Sequence, residues 1–203
     1  MFTRLISRAP RLLLALVATL PLAAAAHTGV DGHSHLGFVT GFLHPLTGLD
    51  HLAAMVAVGM WSALAARRAG PGLLWGPAGF AGMLLVGALL GLAGVQIPAV
   101  EPMIAASLLV TGLLVVTRWQ IPGLAAAAVV GAFAVFHGLA HGYELAGTAD
   151  AVATLSGMLL ATVALHVAGL AAGWSLRSAN VWLPRALGAV VAVFGATLLA
   201  QLA

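Results

Sequence analysis

The 203-residue chain has no cysteine, no lysine and a single tyrosine. Without thiols it can form neither a disulfide nor a thiolate metal site. Charge is also scarce. Eight arginines and five acidic residues make up 6% of the sequence, against about 25% in an ordinary soluble domain. So few charges cannot cover a folded surface that faces water. With 62% hydrophobic residues and a mean hydropathy of +1.10, the composition excludes an ordinary soluble protein and points to a polytopic membrane protein, all-α in fold class. No Walker A sequence occurs, so the chain encodes no ATP hydrolysis. The pI of about 11.2 invites a nucleic-acid reading, but the arginines do not cluster on any polar segment.

What is present begins with a processing signal. Arg4, Arg8 and Arg11 precede an apolar run from Leu12 to Leu20, followed by Pro21 and the small residues Ala23 to Ala26. This is the order of a cleavable secretory signal peptide, expected over residues 1–26. The run is too short to cross a hydrocarbon core that needs about 20 residues. The alternative is an uncleaved signal anchor, which would add a seventh span. Cleavage removes three arginines and leaves five arginines against five acids, so the high pI says nothing about an anionic partner. Residues 27–43 then form a His-containing periplasmic segment, and residues 44–203 a six-helix transmembrane domain.

Hydrophobic segments divided by Gly-, Pro- and Arg-bearing breaks predict six spans, near 48–66, 73–95, 99–117, 122–142, 150–173 and 182–202. A cleaved signal puts the mature N-terminus outside, and six spans return the C-terminus there. Arg67, Arg68, Arg118, Arg177 and Arg185 then all fall in cytoplasmic breaks, as the positive-inside rule requires. Asp31, Asp50, Glu101, Glu144 and Asp150 fall on or near the opposite side. The expected location is therefore a bacterial inner membrane. Gly72/Gly76, Gly87/Gly91, Gly138/Gly142 and Gly169/Gly173 are spaced to let helices approach closely in lipid.

Eight histidines against thirteen charged residues is the unusual ratio. His44-Pro45-Leu46-Thr47-Gly48-Leu49-Asp50-His51 opens the first span, where Pro45 and Gly48 imply a turn or a broken first helical turn. Phe136-His137-Gly138-Leu139-Ala140-His141-Gly142-Tyr143-Glu144 closes the fourth span. His137, His141 and Glu144 share one helical face, which is metal-ligand spacing. It is not the zinc-protease HExxH motif, because Gly138 stands where the catalytic glutamate belongs. The bland readings are a helix-start acid for Asp50 and interhelical hydrogen bonds for the histidines. Topology nevertheless puts both constellations at one membrane depth. His44, Asp50, His51, His137, His141 and Glu144 are thus the candidate metal residues.

A secondary path is drawn from His27, His33 and His35 in the leader, Met55 one turn past His51, and Met158 and His166 in the fifth span. Thr154, Met158, Thr162 and His166 form a stripe at four-residue spacing. Against this stand a disordered leader and a His166 bonded to a carbonyl across helices. Glu101 and Asp150 are expected to be helix-start acids. Imidazole and carboxylate without thiolate suit divalent Ni, Co, Zn or Cu, and the residues alone do not select among them.

The two motifs, HX5DH from His44 to His51 and FHGxAHGxE from Phe136 to Glu144, together with the signal and the six-span plan, resemble the HupE/UreJ family. The resemblance extends over essentially the whole chain. It implies a nickel permease working by facilitated diffusion from periplasm to cytoplasm, supplying hydrogenase or urease, with the six candidate residues as permeation residues. The ion, nickel or alternatively cobalt or zinc, would be transported cargo, with no organic cofactor and no enzymatic activity. The expected partners are the divalent ion and the lipid bilayer, with no nucleic acid; self-association is left open. Two rival classes are kept: an intramembrane zinc hydrolase with Glu144 as base, and a membrane metal sensor or metallochaperone.

Overall fold

The computed structural model describes residues 37–178 and 180–203. The signal-peptide and cleavage expectations, and those for His27, Asp31, His33 and His35, lie outside the described residues. The described chain forms seven α-helices: α1 (Phe38–Thr47), α2 (Leu49–Ala65), α3 (Trp75–Leu92), α4 (Val100–Thr117), α5 (Gly123–Leu145), α6 (Ala151–Ser175) and α7 (Trp182–Gln201). A short 3-10 turn at Pro71–Leu74 leads into α3.

Five helical stretches are long and apolar enough to cross a bilayer, and α1 with α2 supplies a sixth span if the bent pair is counted as one. The five later spans fall where hydropathy placed them. The first does not start where expected. Helix begins ten residues earlier, at Phe38, and bends by 78° at Gly48. Pro45 lies inside α1 and has no N–H for the Gly41 carbonyl, so the ladder is already interrupted one turn before the bend. Gly48 is extended (φ −77°, ψ 111°) and closes α1 through its N–H to the His44 carbonyl.

Small residues fix the helix pairs. A methyl group added to Gly138 would fall on the Leu84 carbonyl, and one on Gly87 on the Val135 carbonyl, so α3 and α5 lie backbone against backbone. The same test at Gly59 and Gly169 pairs α2 with α6, at Gly41 and Gly157 pairs α1 with α6, and at Gly112 and Gly195 pairs α4 with α7. In a bilayer, where apolar burial gives no drive, such close approach is the main source of helix association. Of the four expected glycine pairs, Gly87/Gly91, Gly138/Gly142 and Gly169/Gly173 sit in these seams. Gly72 has open space around it.

The arginines gather at one end. Arg177 donates to the Ala63 and Arg67 carbonyls, and Arg67 donates to the Gln120 side chain, tying together the α2, α4 and α6 ends. The opposite end carries Asp50, Glu144 and Asp150. There Leu92, Leu145 and Ala151 pack together, and Tyr143 donates to the Val95 carbonyl. Glu101 falls in the first turn of α4 and Asp150 stands at the N-terminal boundary of α6 without a side-chain capping hydrogen bond, both where an acid is favoured by the helix dipole.

Candidate metal site

The bend at Gly48 builds the site. In a straight helix, residues seven apart are separated by about 10 Å along the axis. Across this corner the His44 ring lies 5.5 Å from that of His51, centroid to centroid, and 4.7 Å from that of His141 on α5. His44, His51 and His141 each offer a ring nitrogen within 4.8 Å of the others. His51 and His141 are buried, at 6% and 4% exposure. α2 and α5 are not among the closely packed helix pairs, so these two imidazoles meet by reaching across a gap.

Hydrogen bonds fix which nitrogen of each ring faces inward. Asp50 Oδ1 accepts from the backbone N–H of His51 and lies 2.9 Å from its Nδ1. An ionised carboxylate only accepts, so His51 Nδ1 carries the proton and Nε2 holds a lone pair. Glu144 Oε2 stands 3.4 Å from His141 Nδ1 and orients that ring in the same sense, more loosely. The two Nε2 atoms meet at 2.7 Å. Two lone pairs at that distance repel unless a proton or a cation lies between them. A shared proton suits 2.7 Å. An ion at about 2.0–2.1 Å from each nitrogen needs the rings to part by a few tenths of an ångström. Carboxylates behind metal-facing imidazoles are the usual outer support of such sites.

His137 lies one helical turn deeper and is fully buried. Its Nε2 is 2.9 Å from Ser107 Oγ, and Ser107 donates its proton to the Ile104 carbonyl. Ser107 must therefore accept, so His137 is protonated at Nε2 and keeps a lone pair on Nδ1. That Nδ1 is buried and unpartnered. The His137 ring stands 5.1 Å from that of His51, so it extends the cluster inward.

The six expected residues are thus brought to one place with unequal parts. Three imidazoles converge, two carboxylates stand behind them, and His137 follows below. Met55 lies in the main apolar core with Val58 and Trp61, and Met158 packs with Leu145 and Leu155. The Thr154, Met158, Thr162 and His166 stripe is one buried face of α6. The sequence reading passed over Ser107, whose only signal is a hydroxyl amid apolar residues, and Phe80, which has no signal at all. The Phe80 ring touches both His137 and His166.

The family model described as HupE / UreJ protein matches residues 14–198. The chain belongs to the HupE/UreJ family. It is 41% identical over 186 residues to "Protein HupE" of Rhizobium leguminosarum bv. viciae, an alignment covering 90% of this chain and 94% of that protein. No solved structure matches the chain. HupE/UreJ membership and the apolar helices make it an integral membrane protein. At the family level they support a transport or accessory role linked to nickel or cobalt supply for hydrogenase or urease.

Proposed function

We propose that this protein carries nickel, with cobalt as the alternative cargo, across the bacterial inner membrane from periplasm to cytoplasm by facilitated diffusion. The observation behind this reading is the convergence of His44, His51 and His141, two of whose far nitrogens are held by Asp50 and Glu144. Neutral imidazoles of fixed tautomer are suited to borderline divalent ions. Asp50 and Glu144 act as the groups that aim His51 and His141, and His137 receives the ion next through its free Nδ1.

A hydrolase on the same histidines would need Glu144 free as a base, and Glu144 is turned to His141 Nδ1 instead. The entry side is the end bearing Asp50 and Glu144, because the arginine-rich end fits the cytoplasmic face by the positive-inside rule. The cargo would supply maturation of hydrogenase or urease.

The test is Ni²⁺ flux into proteoliposomes containing the purified protein. His51→Ala and His137→Ala are expected to abolish flux while membrane insertion and the detergent elution profile stay unchanged. Wild-type rates in the double variant would refute the reading. Turnover of a lipid or peptide with no flux would favour the hydrolase, and tight binding without flux would favour a sensor or metallochaperone.

A further inference from the structure

His166 stands apart from the cluster and is spoken for by nothing around it. It is 2% exposed, and both ring nitrogens are buried without a hydrogen-bond partner. The Thr162 backbone carbonyl one turn back on α6 interacts with the ring, but not in the geometry of a hydrogen bond. Among the described residues no other side chain has both ring nitrogens buried and unpartnered. Buried polar groups are almost always paired, so an unpaired imidazole in a membrane bundle calls for an explanation. A neutral ring has one N–H and one lone pair. The Thr162 carbonyl or the Phe80 face, 5.2 Å away in an edge-on contact, can engage only the N–H. The lone pair is left free whichever nitrogen holds it.

His166 is also on the route inward. Leu92, Leu145 and Ala151 mark a common level at the acidic end, since they share one apolar cluster. Counting about 1.5 Å per residue from these helix ends puts His137 about 12 Å deep, Phe80 about 18 Å and His166 about 22 Å. The Phe80 ring centroid is 5.5 Å from that of His137 on one side and 5.2 Å from that of His166 on the other. Two imidazoles, each with an unpaired lone pair, therefore flank a single aromatic ring.

We infer that His166 is a second, inner ligand for the transported divalent cation, receiving it from His137 once the Phe80 side chain turns aside. This rests on the transport reading above. The ion keeps water on its remaining positions while His166 holds it past the middle of α6. The arrangement separates two binding stations by an apolar barrier, so an ion is stripped and bound again rather than moving down an open, hydrated pore.

The test uses Co²⁺ in detergent, where ligand-field absorption reports imidazole coordination, and Ni²⁺ flux in proteoliposomes. In His166→Leu, which keeps the bulk and removes the donor, flux is expected to fall tenfold or more. Co²⁺ absorption from the His44, His51 and His141 station is expected to stay within twofold of the unsubstituted protein. His166→Gln, with a polar head but no imidazole, should behave the same way. Flux within twofold of the unsubstituted protein in either variant overturns the inference. Loss of both Co²⁺ absorption and flux in both variants makes His166 a packing residue, and also overturns it. Failure of the transport reading itself is distinct, because it shows as absent flux in the unsubstituted protein.

Discussion

Replacing Asp50 by asparagine probes the site with little disturbance of its shape. Asp50 Oδ1 accepts from the His51 backbone N–H at 2.9 Å, and this bond anchors the same oxygen that faces His51 Nδ1. An asparagine carbonyl can keep the backbone bond, so geometry is retained while the negative charge is lost. Hydrogen bonds to a charged partner contribute about 1.5–3 kcal/mol and neutral ones about 0.5–1.5 kcal/mol, so the support to His51 weakens by about 1–1.5 kcal/mol. The amide can also turn its NH2 toward Nδ1, which moves the ring proton to Nε2 and blocks the atom that should meet the ion. Together these effects predict a 10–100-fold loss of Co²⁺ affinity, the range seen when outer support of a metal-binding histidine is removed. Optical titration with Co²⁺ in detergent measures it. Glu144→Gln should cost less than tenfold, because its contact is 3.4 Å long and its side chain is 45% exposed. Affinity within twofold of wild type in Asp50→Asn, or a larger loss in Glu144→Gln than in Asp50→Asn, would refute the assignment of these carboxylates.

Three further outcomes follow from the same structure. A proton bridging the Nε2 atoms of His51 and His141 would occupy the place an ion needs, so proton and ion compete for these nitrogens. Ni²⁺ flux at subsaturating metal, with equal pH on both sides, should therefore fall as the medium is acidified, by up to about tenfold per unit for one displaced proton; a rate that does not change on acidification would contradict it. Ser107→Ala leaves the His137 Nε2–H without an acceptor and frees the ring to change tautomer, so flux should fall several-fold while Co²⁺ binding at the outer histidines persists. Gly138→Val presses methyl groups on the Leu84 carbonyl and should destabilise the bundle by about 1–3 kcal/mol, read as a lower melting temperature in detergent; Gly82→Ala, with nothing within 4 Å, should be tolerated.

The two histidine motifs, the five later spans and the partition of charge between the ends were legible because each depends on spacing along one chain. Residues four apart share a helix face whatever surrounds them. The helix from Phe38 to Thr47 was not legible, because residues up to 43 read as a leader, and Pro45 and Gly48 read as a turn or a broken first turn of the span rather than as the end of a helix of its own. Only its glycine seam with α6 explains why it is helical. The unequal parts of the six residues were also hidden. A carboxylate one residue from a histidine can ligate an ion or hold the ring, and the choice between these depends on the 2.9 Å contact to Nδ1. Phe80 could not be found at all, because an aromatic in an apolar helix has no pattern until α3 is set between α5 and α6.

The corner at Gly48 has a mechanical consequence. Because α1 and α2 are joined by one extended residue and both lie backbone against backbone on α6, at Gly41 and Gly157 and at Gly59 and Gly169, His44 and His51 are held by the same helix, whereas His141 belongs to α5, which is paired with α3. His166 is carried by α6 itself. A small slide or tilt of α6 against α5 would thus shift two legs of the outer tripod away from His141 and reposition the inner imidazole in a single stroke. Loosening the grip at one end and readying the catch at the other are, in this bundle, the travel of one rod.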